Sequence, residues 1–211
     1  MKPLLTLALL SAIFLPLQTA LAFDPNYILS DEELQDGNAM DLNQIQAFLE
    51  RGYLAEFKTE DHDGRTRYAA DIIWRAAQQH NINPKFILVL LQKEQSLIED
   101  NDPTQKQLDW AAGYGICDYC SMNDPALDRW KGFGKQVNSA SLQFIEGYLG
   151  DIDQYGKTAG RYGPGVTVTI DGESVTPMNA ATAAMYAYTP HLHGNEIFVA
   201  IWNRWFGLSL I

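Results

Sequence analysis

The sequence predicts a mainly α-helical single domain with one inserted β-hairpin. Apolar residues recur at three- and four-residue spacing through most of the chain after Asp41, whereas residues 166–176 alternate Val and Thr around an Asp171-Gly172 turn. Residues 23–211 contain neither an internal repeat nor a low-complexity linker, and their number suits one well-cored domain.

The N-terminus has the order of a secretory signal: Lys2, an apolar run over 3–17, then Thr19-Ala20-Leu21-Ala22. Cleavage is expected after Ala22, giving a signal peptide over 1–22 and a domain over 23–211 with its core at about 66–206. The run is short for a membrane span, and no Cys stands at the cleavage point to carry a lipid. The sequence therefore points to an exported protein, periplasmic or secreted, without stable membrane insertion once the signal is removed; retention of the segment as an anchor is the alternative. A formal net charge of −11 argues against nucleic acid and anionic lipid surfaces as partners. No protein partner is legible.

Residues 23–37 read as extended and acidic, with Asp31, Glu32 and Glu33 opening a short helix. Asp41 caps the next helix, with Gln44 at the capping-box position and Leu42, Ile45, Phe48 and Leu49 forming a stripe up to Gly52. Residues 56–65 are polar and loop-like, His62 among them. A helix over about 66–80 has Ala69, Ile72, Ile73, Ala76 and Ala77 on its inner face, and the turn Asn81-Ile82-Asn83 makes it one arm of a helical hairpin. Asn83 as N-cap and Pro84 in the first turn start the other arm.

After Asp100, enrichment in Gly, Asp, Asn and Pro predicts a long loop, a feature that in compact domains is usually functional. Gly113-Tyr114-Gly115 suits a backbone that must approach something closely, or a tight turn. A helix over 134–149 presents Val137, Ala140, Ser141, Phe144, Ile145 and Tyr148 on one side. Another covers 179–188, ended by Pro190, and a last one over about 195–206 turns Ile197, Phe198, Ile201, Trp202 and Trp205 to the core.

The second arm of the hairpin holds an anomaly. At about 100° per residue, Ile87, Leu90, Leu91, Leu97 and Ile98 share one face, and Glu94 falls among them. An unpaired ionised carboxylate is costly to bury, so Glu94 pairs with an arginine such as Arg129 or Arg204, escapes at the edge of the stripe, or lines a cleft. Cys117 and Cys120 are spaced C-x2-C; in an exported protein a local disulfide is the plainest reading, with free thiols or half of a metal site as alternatives. Cys117, Cys120, His191 and His193 together have ligand types that suit zinc. Against this, His191-Leu192-His193 reads as a helix-capping loop, and the expectation adopted is no metal and no cofactor.

Four segments, in order, resemble the lysozyme-like domain of soluble lytic murein transglycosylases. Pro84 to Glu94 keeps that family's interval from a helix-opening Pro to its catalytic Glu, although Gln95 follows where the family has Ser. Ala112-Gly113-Tyr114-Gly115-Ile116 is similar to its Gly-rich segment, with Cys117-Asp118 in place of Met-Gln. Residues 138–149 are similar to its helix ending in Tyr-Leu, and Ala183-Ala184-Met185-Tyr186-Ala187-Tyr188-Thr189-Pro190 to its Ala-Ala-Tyr-Asn-Ala-Gly-Pro segment. The chain also resembles exported haemagglutinin-like cell-wall proteins with Leu-Gln-Lys-Glu-Gln and Tyr-Thr-Pro segments.

The first resemblance implies a lysozyme-like α+β fold and cleavage of the MurNAc-GlcNAc β-1,4 bond of peptidoglycan glycan strands, with Glu94 as the single catalytic residue. Such cleavage needs a carboxylic acid that still holds its proton near neutral pH. The resemblance further implies that the ionised Glu94 then takes the proton of the muramoyl 6-hydroxyl as a 1,6-anhydro ring closes without water. A muramidase or glucosaminidase-type hydrolase on the same fold would need a way to use water, commonly a second carboxylate about 6.5–9.5 Å away for inversion. Asp109 and Asp118, flanking the Gly-rich segment, rank first for that role. Aromatic faces beside amides suit sugar rings, which makes Gln95, Tyr114, Gly115, Tyr186 and Tyr188 the substrate-binding candidates. Tyr186 is expected to hydrogen-bond Glu94 or orient the 2-acetamido group. A non-catalytic glycan-binding module is the remaining alternative.

Overall fold

Capping chemistry sets where the first helices begin. The computed structural model, which describes residues 23–115 and 124–207, starts with helix α1 (Asp31–Gln35), where Ser30 and Glu33 exchange side-chain to backbone hydrogen bonds. Asp41 and Gln44 make the same reciprocal pair at the head of α2 (Leu42–Leu49), as their spacing predicts.

Residues 56–65 are not simply a loop. Strand β1 (Lys58–Glu60) pairs antiparallel with β2 (Thr66–Tyr68), and α3 (Ala69–His80) starts three residues later than the helical pattern implies. Charge hides this hairpin in the sequence, because its strands bury no apolar row. The Asp61 carboxylate closes the turn instead, accepting from the backbone N–H groups of Asp63 and Arg65 and from the Arg67 guanidinium at 2.6 Å.

Asn83 caps α4 (Pro84–Gln95) by accepting from the Lys85 N–H. The periodicity gives α4 one apolar face, yet Phe86 to Leu91 are buried without interruption, so its first two turns are enclosed on every side but that of the half-buried Lys85. Helices α3 and α9 (Leu192–Phe206) pack against it. Phe86 meets Phe144 edge-on at 4.7 Å and Phe198 at 5.3 Å; truncating such a ring costs about 3–5 kcal/mol. The helix stops before the apolar pattern does. Ser96 turns left-handed at φ 59°, its N–H closing on the Gln92 carbonyl, so Leu97 and Ile98 are buried beyond the helix and Glu94 lies in its last turn.

The segment after Asp100 carries a short α5 (Gln105–Asp109) and a 3₁₀ turn (Pro125–Trp130). Helix α6 (Phe133–Leu142) then runs into a π-helical stretch (Gln143–Leu149) and α7 (Gly150–Tyr155), six residues beyond the predicted end. Strands β3 (Val168–Ile170) and β4 (Glu173–Val175) form the expected hairpin, with φ 50° at Asp171 and 87° at Gly172, the two positive values a type I′ turn requires. Asn179 caps α8 (Ala180–Tyr188). Helix α9 starts three residues before the expected position; Phe198 and Trp202 are buried as predicted, but Ile197 is exposed.

The expected fold class, mainly α with a β-hairpin, is therefore the one observed, with a second hairpin added. The predicted signal peptide, the Cys117–Cys120 pair and Asp118 lie outside the described residues.

Candidate functional site

The last turn of α4 is an unfavourable place for a carboxylate, because helix carbonyls there present the negative end of the dipole. Glu94 is accommodated by a cation, though not by an arginine. Lys93 Nζ sits 2.6 Å from Glu94 Oε1 and donates also to Thr189 Oγ1 at 2.7 Å. Arg204 pairs with Glu99, and Arg129 lies over the Trp130 ring at 3.9 Å. The Lys93 side chain is 7% exposed and that of Glu94 22%, so the cation is inside and the acid faces the boundary with solvent.

The other carboxylate oxygen meets the Gly-rich segment. Gly113 has φ 72°, and a Cβ there would stand 2.8 Å from Glu94 Oε2, so this backbone approaches as closely as its glycine allows. Gly115, at φ 79°, lies against Trp130, where a Cβ would come 2.6 Å from the indole. Both glycines serve the close approach that their pattern suggested.

One buried amide holds this segment in place. Gln136 Oε1 accepts from the N–H groups of Tyr114 at 2.9 Å and Ala112 at 3.3 Å, while Nε2 donates to the carbonyls of Tyr114 and Trp130, both at 2.9 Å. Tyr188 adds a donor from α8, its hydroxyl reaching the Ala112 carbonyl at 2.6 Å. Burial, and then the nearby Glu94 carboxylate, push the Tyr188 phenol well above its ordinary range. Tyr148, on the π-helical stretch, is pushed up to about 12 by burial and by Tyr114. Phe144, one π-turn earlier, stacks on Tyr188 at 4.8 Å. Tyr114 packs edge-on against Trp130 at 5.7 Å.

The predicted residues thus separate. Glu94, Tyr114, Gly115 and Tyr188 belong to one neighbourhood, built where α4, the Gly-rich segment and the α8–α9 junction meet. Tyr186 does not fill the role expected of it. It is fully buried and donates to the Pro25 carbonyl at 2.7 Å, fastening the N-terminal segment over α8 rather than bonding Glu94. Two residues along a helix turn a side chain about 200°, which is why Tyr188 faces the carboxylate and Tyr186 the opposite side. The Asp109 carboxylate is taken up by Gln105 at 2.9 Å and Lys131 at 3.5 Å. Gln95 is half-buried, and its carbonyl accepts from Gln107. His191 pairs with Asp171 and His193 with Glu196, which accounts for both as surface contacts around the start of α9.

Fold and site define a class: a mainly helical domain in which two turns close over a carboxylate at the end of its central helix. The chain belongs to the LasA N-terminal domain family, whose model matches residues 27–210. This is a family of cell-wall-related exported proteins. No curated protein and no solved structure matches the chain. Among the described residues, no helix is long and apolar enough to cross a membrane.

Proposed function

We propose that the protein is a lytic transglycosylase that cleaves the MurNAc-GlcNAc β-1,4 bond of peptidoglycan with Glu94. The observation that carries this reading is the division between the two oxygens of that carboxylate. Oε1 is anchored by Lys93, whereas Oε2 lies against Gly113 with no hydrogen-bond donor among the described residues. Oε2 is thus the oxygen that would carry a proton to the leaving glycosidic oxygen. The Lys93 ammonium would stabilise the carboxylate left behind, which then takes the 6-hydroxyl proton as the anhydro ring closes. Membership of a cell-wall-related exported family and the order of the four transglycosylase-like segments support the same reading.

Among the described residues a hydrolase has less support, since both oxygens of Asp109, the one second-carboxylate candidate they include, already have partners. The Lys93–Glu94 pair favours one second reading, a glycan-binding module in which the carboxylate is structural. The test is Glu94→Gln, with folding checked by near-ultraviolet circular dichroism because the change leaves Lys93 without its anion. Release of anhydromuropeptides from purified sacculi by the parent and its loss in the folded variant are expected. Parent protein that binds sacculi without releasing product would replace the catalytic reading with the binding one.

A further inference from the structure

A groove of about 350 Å³ lies between the β1–β2 turn and α3, with Asn138 of α6 in its wall. Glu94 does not line it. In size it falls within the range of small-ligand sites, about 300–1,000 Å³, and its lining is out of keeping with a chain of net charge −11. Three arginines, Arg65, Arg67 and Arg75, converge on it.

Two of their neighbouring acids are spent, and a third, Asp63 in the groove wall, is 53% exposed and lies 3.4 Å from His62. Asp61 is saturated by two backbone N–H groups and Arg67, and Asp71 accepts from Arg67 at 3.0 Å and from Arg75 Nε at 2.8 Å. Arg67 is therefore a strut between two carboxylates. Among the described residues Arg75 keeps its terminal nitrogens, and Arg65, 69% exposed, has only a 3.9 Å contact with Asp63. Two guanidinium groups with donors to spare at one groove fit a planar carboxylate, which such forks bind in register.

The rest of the lining narrows the ligand. Trp74 is half-buried and offers an aromatic face beside Ile72. Asn138 uses its carbonyl oxygen on His80, and Gln78 its NH₂ on the Gly37 carbonyl, so Asn138 keeps an amide donor and Gln78 an amide acceptor, with the Gln79 amide beside them in the lining. A bare phosphate would leave the indole and the amides without partners, and a neutral sugar would leave the guanidinium groups without theirs. We propose that this groove binds the C-terminal carboxylate of a short peptide. Arg65 and Arg75 hold the carboxylate, Trp74 covers the terminal side chain, and Asn138 with Gln78 pairs with the preceding peptide group.

The test follows the Trp74 indole N–H in proton–nitrogen spectra of the full chain, assigned with Trp74→Phe. The probes are N-acetyl-Lys-D-Ala-D-Ala, its all-L counterpart, the C-terminal amide of each, and inorganic phosphate. A saturable shift with either acid, at least about tenfold weaker binding of the amides, and a similar loss in Arg65→Gln are expected, since one charge-assisted contact is removed in each case. Preference for the D-peptide identifies wall stem peptides as the source, and preference for the L-peptide identifies ordinary protein C-termini. The proposal is overturned if neither acid shifts the resonance at millimolar concentration, if the amides bind as well as the acids, or if phosphate binds as tightly. Glu94→Gln should leave this binding unchanged, so the groove and the proposed glycosidic chemistry stand or fall separately.

Discussion

Replacing Gly113 by alanine would press one methyl group on the Glu94 carboxylate. The new Cβ would lie 2.8 Å from Oε2 and 3.2 Å from Cδ, whereas ordinary contact begins at 3.4 Å. The carboxylate or the loop must therefore retreat by about 0.6 Å, the difference between the first and last of those distances. The backbone adds its own cost, because alanine in the left-handed region loses about 1–2 kcal/mol. Gly165 separates the two effects: it has the same φ of 72°, and no atom of the described residues lies within 4 Å of its Cβ position. Both variants should lose about 1–2 kcal/mol in urea unfolding. Only Gly113→Ala should lose anhydromuropeptide release, on the order of ten- to a hundredfold, as displacements of this size do when reacting groups must be aligned. Equal release by the two variants would refute the idea that Gly113 seats the reacting carboxylate.

Gln136→Leu strands the four backbone groups that Nε2 and Oε1 hold, and each costs about 1–3 kcal/mol when left unpaired; urea unfolding should show roughly 4 kcal/mol or more lost, with faster amide exchange at Tyr114. Tyr186→Phe removes one neutral hydrogen bond, to Pro25, and should cost about 1 kcal/mol without slowing turnover; a large loss of turnover at intact stability would return Tyr186 to the site. Burial raises the Asp61 pKa, but the donors from Arg65, Arg67 and Asp63 outweigh it and hold the carboxyl below its ordinary value. Its stabilisation is thus complete above about pH 4 and lost as pH falls further, so the Tm gap between the parent and Asp61→Asn should narrow in that acid range. Tyr148 shifts the other way, from 10.0 up to about 12. The fold is favoured fully below about pH 10 and loses this contribution as pH rises through 12, and Tyr148→Phe should remove one tyrosine's share of the late phenolate absorbance while the still later rise from Tyr186 and Tyr188 persists.

The parts of this fold that announce themselves in sequence are those set by local chemistry. Asp41 with Gln44, Asn83 with Pro84, and the Asp171-Gly172 turn each fix a boundary by hydrogen bonds or φ values within a few residues. The β1–β2 hairpin was not legible, because Asp61 and Arg67 hold it by polar contacts and no alternating apolar row marks it. Nor was the π-helical stretch, since an apolar pattern at three- and four-residue spacing reads as an ordinary helix until Phe144 and Tyr148 are seen on the same side toward Tyr188. Glu94 stood out as a charge among apolar residues. Gln136 did not, being one amide in an unremarkable helical stretch. Its signal lies in burial, which a single sequence does not display.

Lys93 escaped for a different reason. Neighbouring residues on a helix point about 100° apart, so adjacent opposite charges are not read as partners. Here the lysine bends back to its neighbour because its far end is held by Thr189, beyond the end of α8. That path is open only because residue 194 has no side chain: a Cβ on Gly194 would come 2.6 Å from the Thr189 methyl group and 3.6 Å from Lys93 Cε. Asn195 then fixes the same junction from within α9, donating to the carbonyls of Thr189 and His191, both at 2.9 Å. The cation at Glu94 is thus positioned by contacts a hundred residues downstream, and the geometry of one carboxylate depends on the packing of α9 against α4 as much as on its own helix.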